Sequence, residues 1–96
     1  MKSVTGSNGR RTVTCRIAIP LDIKLLTIYA LDMLLDQKNP VDTLLQCNKR
    51  EIFILARLDI TKHGRYTAPK RVEQFFNETE ITRAEEHVRC MFPEVD

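Results

Sequence analysis

The feature that most constrains the fold is a stretch of alternating side chains, Arg11 to Pro20, that runs directly into an apolar segment, Leu21 to Asp36. Successive side chains of a β-strand point to opposite faces. A strand here would carry a polar, basic face formed by Thr12, Thr14, Arg16 and Ala18. Its other face would be apolar and would consist of Val13, Cys15, Ile17 and Ile19. The alternation therefore predicts a half-buried strand over residues 11–19, followed by a helix.

Apolar residues recur at spacings of three and four through the rest of the chain, as is typical of amphipathic helices. The pattern predicts helices over about residues 21–36, 41–60, 69–77 and 80–91. Asn39 and Pro40 supply the cap and the first residue of the second helix. Asn48 and Glu51 have the spacing of a capping box, so two shorter helices are the alternative to one continuous helix over 41–60. The predicted fold class is mainly α with one N-terminal β-strand.

A chain of 96 residues suits one domain with a modest hydrophobic core. We predict a flexible basic arm over residues 1–10 and a single domain over residues 11–96. The first residues are too polar for a signal peptide, and no apolar run approaches the roughly 20 residues that a membrane span needs. These features favour an intracellular protein, in the cytoplasm or nucleoid, with no membrane partner.

The predicted helix over residues 21–36 is apolar on more than one face. Such a helix must be covered on most sides. In so short a chain, a second copy of the same helix is the simplest cover, and we therefore expect a homodimer.

Charge is distributed unevenly along the chain. Residues 1–16 contain four cations and no carboxylate, whereas residues 72–96 contain seven carboxylates and two arginines. The N-terminal region is therefore the one expected to approach a polyanion, and the acidic C-terminal helices are expected to face away from it. Those helices would either complete the core or bind a protein partner through their apolar residues, which are Val72, Phe75, Phe76, Val88, Met91 and Phe92.

Residues 10–58 resemble the ribbon-helix-helix family of DNA-binding proteins. The resemblance rests on the run Thr12-Val13-Thr14-Cys15-Arg16-Ile17-Ala18-Ile19-Pro20-Leu21, followed by a helix, a short break and a second helix. In that family two chains pair their strands into an antiparallel ribbon that lies in the major groove. The resemblance implies a dimeric transcriptional repressor, extended here by two C-terminal helices, in which Thr12, Thr14 and Arg16 contact the bases of double-stranded DNA.

The same resemblance implies two further sets of contacts. The dimer core would be formed by Val13, Cys15, Ile17, Ile19, Leu25, Ile28 and Leu44. The start of the second helix would bind DNA phosphates through Asn39, Val41 and Thr43, since helix N-termini attract anions. Three cations of the N-terminal region, Lys2, Arg10 and Arg11, are expected to add phosphate contacts.

Two other functions are compatible with the residues. The first is an all-helical interaction module, an adaptor or inhibitor that binds another protein through the helices over 21–36 and 41–60. The second is a single-stranded nucleic-acid binder, although none of the six aromatic residues lies in the first 16 positions. The cationic segment Lys62 to Arg71 is either a solvated loop or the turn of a helix-turn-helix with a recognition helix over residues 69–77.

Residues for catalysis or metal binding form no complete set in the sequence. The three cysteines are widely spaced, which favours reduced thiols over a disulfide framework. His87 and Cys90 share a helix face, but no second pair of ligands accompanies them, and His63 is expected in a loop. No nucleophile has a recognisable base, and no phosphate-binding loop is present. We therefore expect neither an enzyme nor a bound metal or cofactor.

Overall fold

A computed structural model describes residues 19–64 and 66–92, and this part of the chain is mainly helical, as predicted. It contains four α-helices: α1 (Ile23–Leu34), α2 (Pro40–Gln46), α3 (Lys49–His63) and α4 (Glu78–Met91). A 3-10 turn, Lys70–Val72, lies between α3 and α4. Apart from Ile19, the predicted strand over residues 11–19 lies outside the described residues. No helix in the described ranges combines the length and the apolar character that crossing a bilayer requires.

Helix α1 is the central element, and it contacts the other three helices and the 3-10 turn. Asp22 caps its N-terminus, because the Asp22 Oδ1 atom accepts a hydrogen bond from the Leu25 backbone N–H at 3.3 Å. Eight of its twelve residues are buried within one chain: Leu25, Leu26, Ile28, Tyr29, Ala30, Leu31, Asp32 and Leu34. The apolar faces that suggested a second copy of α1 are therefore already covered by the chain's own helices.

The continuous helix predicted over residues 41–60 is wrong, because the chain breaks at Cys47 and Asn48. Cys47 has an extended backbone, with φ −77° and ψ 141°. Asn48 starts α3 with a complete capping box: its side chain accepts from the Glu51 N–H at 2.9 Å, and the Glu51 carboxylate accepts from the Asn48 N–H at 2.8 Å. The alternative of two shorter helices is the one observed, since the cap satisfies backbone donors that would otherwise need an unbroken helix.

The helix predicted over residues 69–77 is also wrong, and a 3-10 turn stands in its place. Asn77 ends this segment by forming a capping box with Glu80, so α4 begins at Glu78 and ends at Met91, the predicted last residue. The backbone bonds of this segment join residues three positions apart, as in a 3-10 helix: the Glu73 N–H donates to the Lys70 oxygen at 3.0 Å and the Phe75 N–H to the Val72 oxygen at 2.9 Å. The recognition helix that the helix-turn-helix alternative requires is therefore not formed.

The segment after α3 is anchored in the core by two tyrosines. The Tyr29 hydroxyl donates to the Tyr66 backbone oxygen at 2.8 Å, and the Tyr66 hydroxyl donates to the Phe92 backbone oxygen at 2.6 Å. These bonds join α1, the segment after α3 and the end of α4.

Six apolar C-terminal residues were considered for a partner surface. Three of them belong to the core, namely Val72, Val88 and Phe92. Phe76 and Met91 are partly buried, and Phe75 is exposed.

Candidate functional site

Four charged side chains meet between α1, α3 and the 3-10 turn. Asp32 comes from α1, Asp59 and His63 lie one helical turn apart on α3, and Arg71 lies in the 3-10 turn. The Asp59 side chain is 0% exposed, and the Asp32 side chain is 7% exposed. Buried carboxyl groups are costly unless they are paired or protonated, so the cluster must be held together by specific interactions.

Arg71 supplies most of the hydrogen bonds to Asp32. Its Nε atom donates to Asp32 Oδ1 at 2.6 Å, its Nη2 atom donates to the Asp32 backbone oxygen at 2.7 Å, and its Nη1 atom donates to Asp36 Oδ1 at 3.0 Å. These two carboxylates also raise the pKa of Arg71. Arg71 thereby fixes the 3-10 turn against the C-terminal end of α1.

Asp32 is held in its ionised form. Burial by itself raises the pKa of the Asp32 carboxyl, but hydrogen bonds with Asp59 and Arg71, together with the charges of Arg71 and His63, outweigh burial and lower it. The Asp32 carboxylate therefore keeps its negative charge in the interior, with a carboxyl oxygen of Asp59 within 4.8 Å.

His63 completes the cluster on its solvent side. Its Nε2 atom lies 3.2 Å from Asp59 Oδ1 and 3.7 Å from Asp32 Oδ2, and one third of its side chain is exposed. The cluster lines an open pocket of about 420 Å³, to which Met33, Asp36, Lys62, Pro69 and Lys70 also contribute. Solvent thus reaches the His63 imidazole through the pocket, whereas the Asp59 side chain is enclosed by protein.

Sequence reasoning did not identify this cluster. His63 was expected in a loop, but it is the last residue of α3, and Gly64 follows it in the left-handed conformation with φ 61°. The available signals were an aspartate inside the apolar helix α1 and the four-residue spacing of Asp59 and His63, which places both on one helix face. Arg71 lies 39 positions from Asp32, so spacing alone gives no signal for that pair.

The predicted contacts with bases and phosphates fall mostly on residues that are not described. Thr12, Thr14 and Arg16, the phosphate contacts Lys2, Arg10 and Arg11, and the dimer-core residues Val13, Cys15 and Ile17 all lie outside the described ranges. Ile19 is partly buried, and Leu25, Ile28 and Leu44 are buried within one chain.

The predicted phosphate contact at the start of α2 has few donors to offer. Both donors of Thr43 are used inside the helix, since its N–H and its hydroxyl donate to the Asn39 oxygen at 2.9 Å and 2.8 Å. Pro40 has no N–H, and the Asp42 carboxylate repels phosphate. Val41 is exposed, but a helix start in which Pro40 has no N–H and the Thr43 N–H is already bonded makes a poor phosphate clamp.

The cysteine and histidine residues outside the cluster show no arrangement for chemistry. Cys90 is disulfide-bonded, so the expectation of reduced thiols is wrong at this position. Cys47 is a free thiol that donates to the Thr43 oxygen at 3.3 Å, and burial followed by the Glu51 charge raises its pKa. His87 accepts a long hydrogen bond of 3.4 Å from the Asp22 N–H, and burial lowers its pKa.

The chain matches no family model, and no curated protein or solved structure is significantly similar to it. Its function must therefore be argued from the surface and from the cluster.

Proposed function

We propose that this chain is an interaction protein that binds an acidic, amphipathic segment of another protein through the exposed face of α3. The observation that carries the proposal is a strip of four side chains, each one helical turn from the next, which we call the α3 strip: Arg50, Ile54, Leu58 and Lys62. All four are exposed, and the two aliphatic members keep 44% and 52% of their surface in solvent.

The inward face of α3 supplies the core through Ile52, Ala56 and Ile60, so the α3 strip lies outside the core. An isolated exposed aliphatic residue is ordinary on a protein surface. Aligned aliphatic residues that are flanked by cations favour a binding surface more strongly. Helix α2 repeats the pattern with Val41 and Leu45, four positions apart, and Leu45 is 77% exposed.

The charges of the α3 strip indicate the chemistry of the partner. Neither Arg50 nor Lys62 forms an ion pair with a carboxylate within the described ranges. A partner helix with aliphatic residues at the same spacing and carboxylates at its margins would cover Ile54 and Leu58 and would pair with both cations. The expectation that the acidic C-terminal helices form the partner surface is less favoured, because most of their apolar residues are buried.

A selection from a display library of random helical peptides tests this proposal. We expect enriched peptides to be acidic and amphipathic, and we expect Leu58→Asp to weaken their binding at least about tenfold, because aliphatic anchors at the centre of an interface carry much of the affinity. Binding is measured by fluorescence anisotropy. The matched control is Phe75→Asp, which places a carboxylate at an exposed apolar residue away from α3. Unbiased peptide sequences, or equal losses in both variants, contradict the proposal.

Sequence-specific binding to double-stranded DNA is the second candidate, and the acid-free, basic composition of residues 1–16 favours it. Here we expect Arg16→Ala to abolish preference for a duplex selected from a random library, and Arg11→Ala to reduce the salt slope of binding by about 1. Anisotropy at several salt concentrations measures both effects. Arg50→Ala is the control that separates the two candidates, because it should weaken peptide binding and leave duplex binding unchanged. Duplex binding that is unaffected by Arg16→Ala would exclude the assigned base contact.

A further inference from the structure

We propose that Asp32, Asp59 and His63 form a binding site for one first-row divalent cation, with Zn²⁺ as the best fit. Two buried carboxyl groups and one accessible imidazole converge here from two helices. Their closest donor atoms all lie within 4.8 Å of one another. None of the three ligands belongs to the α3 strip, although Lys62 of that strip lines the same pocket, and the test of metal binding does not depend on the proposed partner.

The distances between the donor atoms suit a small ion. The His63 Nε2 atom lies 3.2 Å from Asp59 Oδ1 and 3.7 Å from Asp32 Oδ2. Donors bound at about 2.0–2.2 Å to a tetrahedral Zn²⁺ lie about 3.3–3.6 Å apart. The two distances from His63 lie close to this range, the donor atoms of Asp32 and Asp59 lie within 4.8 Å of each other, and the open pocket leaves the remaining coordination position to water.

Arg71 takes the place of an outer-shell partner. It donates to Asp32 Oδ1, while the other oxygen, Oδ2, is the atom that faces His63. Carboxylates that bind metals are commonly oriented by such a hydrogen bond, which holds one oxygen and presents the other to the ion. The same guanidinium also donates to Asp36, so Asp36 is held outside the triad.

The ligand set selects the class of metal. An imidazole nitrogen with two carboxylate oxygens is typical of Zn²⁺ and neighbouring first-row ions, whereas Ca²⁺ and Mg²⁺ prefer sites made of oxygen alone. Lys62 and Lys70 also line the pocket, but both residues are exposed, so water screens their charges.

Isothermal titration calorimetry of the full chain with ZnCl₂, MgCl₂ and CaCl₂ tests the site. We expect one Zn²⁺ per chain and weaker binding of the other two ions. His63→Ala should weaken Zn²⁺ binding by more than about tenfold, and Asp59→Asn should do the same. The matched control is His87→Ala, which removes a histidine outside the cluster and should leave the affinity unchanged.

Several results would overturn the proposal: no Zn²⁺ binding by the wild-type chain, unchanged affinity in His63→Ala, or loss of binding in Cys47→Ser instead. Circular dichroism establishes whether each variant is folded. Should Asp59→Asn unfold, His63→Ala decides the matter alone, because its side chain is partly exposed at the end of α3 and its removal leaves the core intact.

Discussion

Arg71→Met is expected to lower the free energy of unfolding by about 2–3 kcal/mol, between the cost of breaking a buried ion pair and that of losing a surface pair. The side chain of methionine keeps much of the aliphatic volume but provides none of the three donors that reach Asp32 and Asp36. Asp32 is then left as a buried carboxylate beside Asp59, without its guanidinium. Because Arg71 is itself about half exposed, water recovers part of the loss, which is why the value lies below that of a fully buried pair.

Urea denaturation at neutral pH measures this effect, and Lys70→Met is the matched control. Lys70 precedes Arg71 in the same 3-10 turn and is exposed, and no ion pair connects it to the described residues. We expect its replacement to change stability by less than about 0.5 kcal/mol. Equal losses in the two variants would show that the turn, rather than the pairing with Asp32, is sensitive to substitution.

The difference between wild type and Arg71→Met should also depend on pH. The pKa of Asp32 is lower in the folded chain than its ordinary value. The pairing of Asp32 therefore contributes its full stabilisation at pH values above that ordinary pKa. This contribution is lost as the pH falls through the lowered pKa. In Arg71→Met the pKa of Asp32 is no longer lowered by the guanidinium. The free energies of unfolding of the two proteins should therefore become more similar as the pH falls.

One of the two predicted caps, the Asn48 and Glu51 capping box, is confirmed, whereas Asn39 makes no side-chain cap bond at the start of α2. Asn48 and Glu51 marked the start of α3 correctly as an alternative, because a capping box is a local arrangement of neighbouring residues. Phe75 and Phe76 indicated a helix by their apolar character, but the capping box at Asn77 commits the chain to α4 and leaves only a turn before it. Local hydrogen bonding decided both boundaries, and apolar content alone was misleading.

The cover of α1 and the missed cluster show the same limit of sequence patterns. Sequence patterns show that Leu25 and Ile28 must be covered, but they do not show by what, and here the cover is the chain's own fold. In the same way, an aspartate inside an apolar helix indicates a polar neighbour in the core without identifying it. Asp32 meets Asp59 and Arg71 only because α1 packs against α3 and the 3-10 turn. Such long-range pairings depend on tertiary structure, which periodicity does not encode.

Phe92→Ala is expected to cost about 3–5 kcal/mol, the range for removing a buried aromatic ring. Phe92 is 0% exposed at the end of α4, its ring centre lies 5.5 Å from that of Phe53, and the Arg57 guanidinium lies 5.2 Å from the ring centre. Its backbone oxygen also accepts the Tyr66 hydroxyl, so collapse around the missing ring would strain that bond as well.

The matched control is Phe75→Ala, the same substitution at a ring that is 43% exposed, for which we expect a loss below about 1 kcal/mol. Thermal or urea unfolding followed by circular dichroism measures both variants. If Phe92→Ala leaves too little folded protein for measurement, Phe92→Leu retains most of the apolar volume and should cost about 1–2 kcal/mol. If Phe92→Ala lowers the free energy of unfolding no more than Phe75→Ala does, the end of α4 does not belong to the cooperative core. Removing a ring within that core must cost more than removing a ring at the surface.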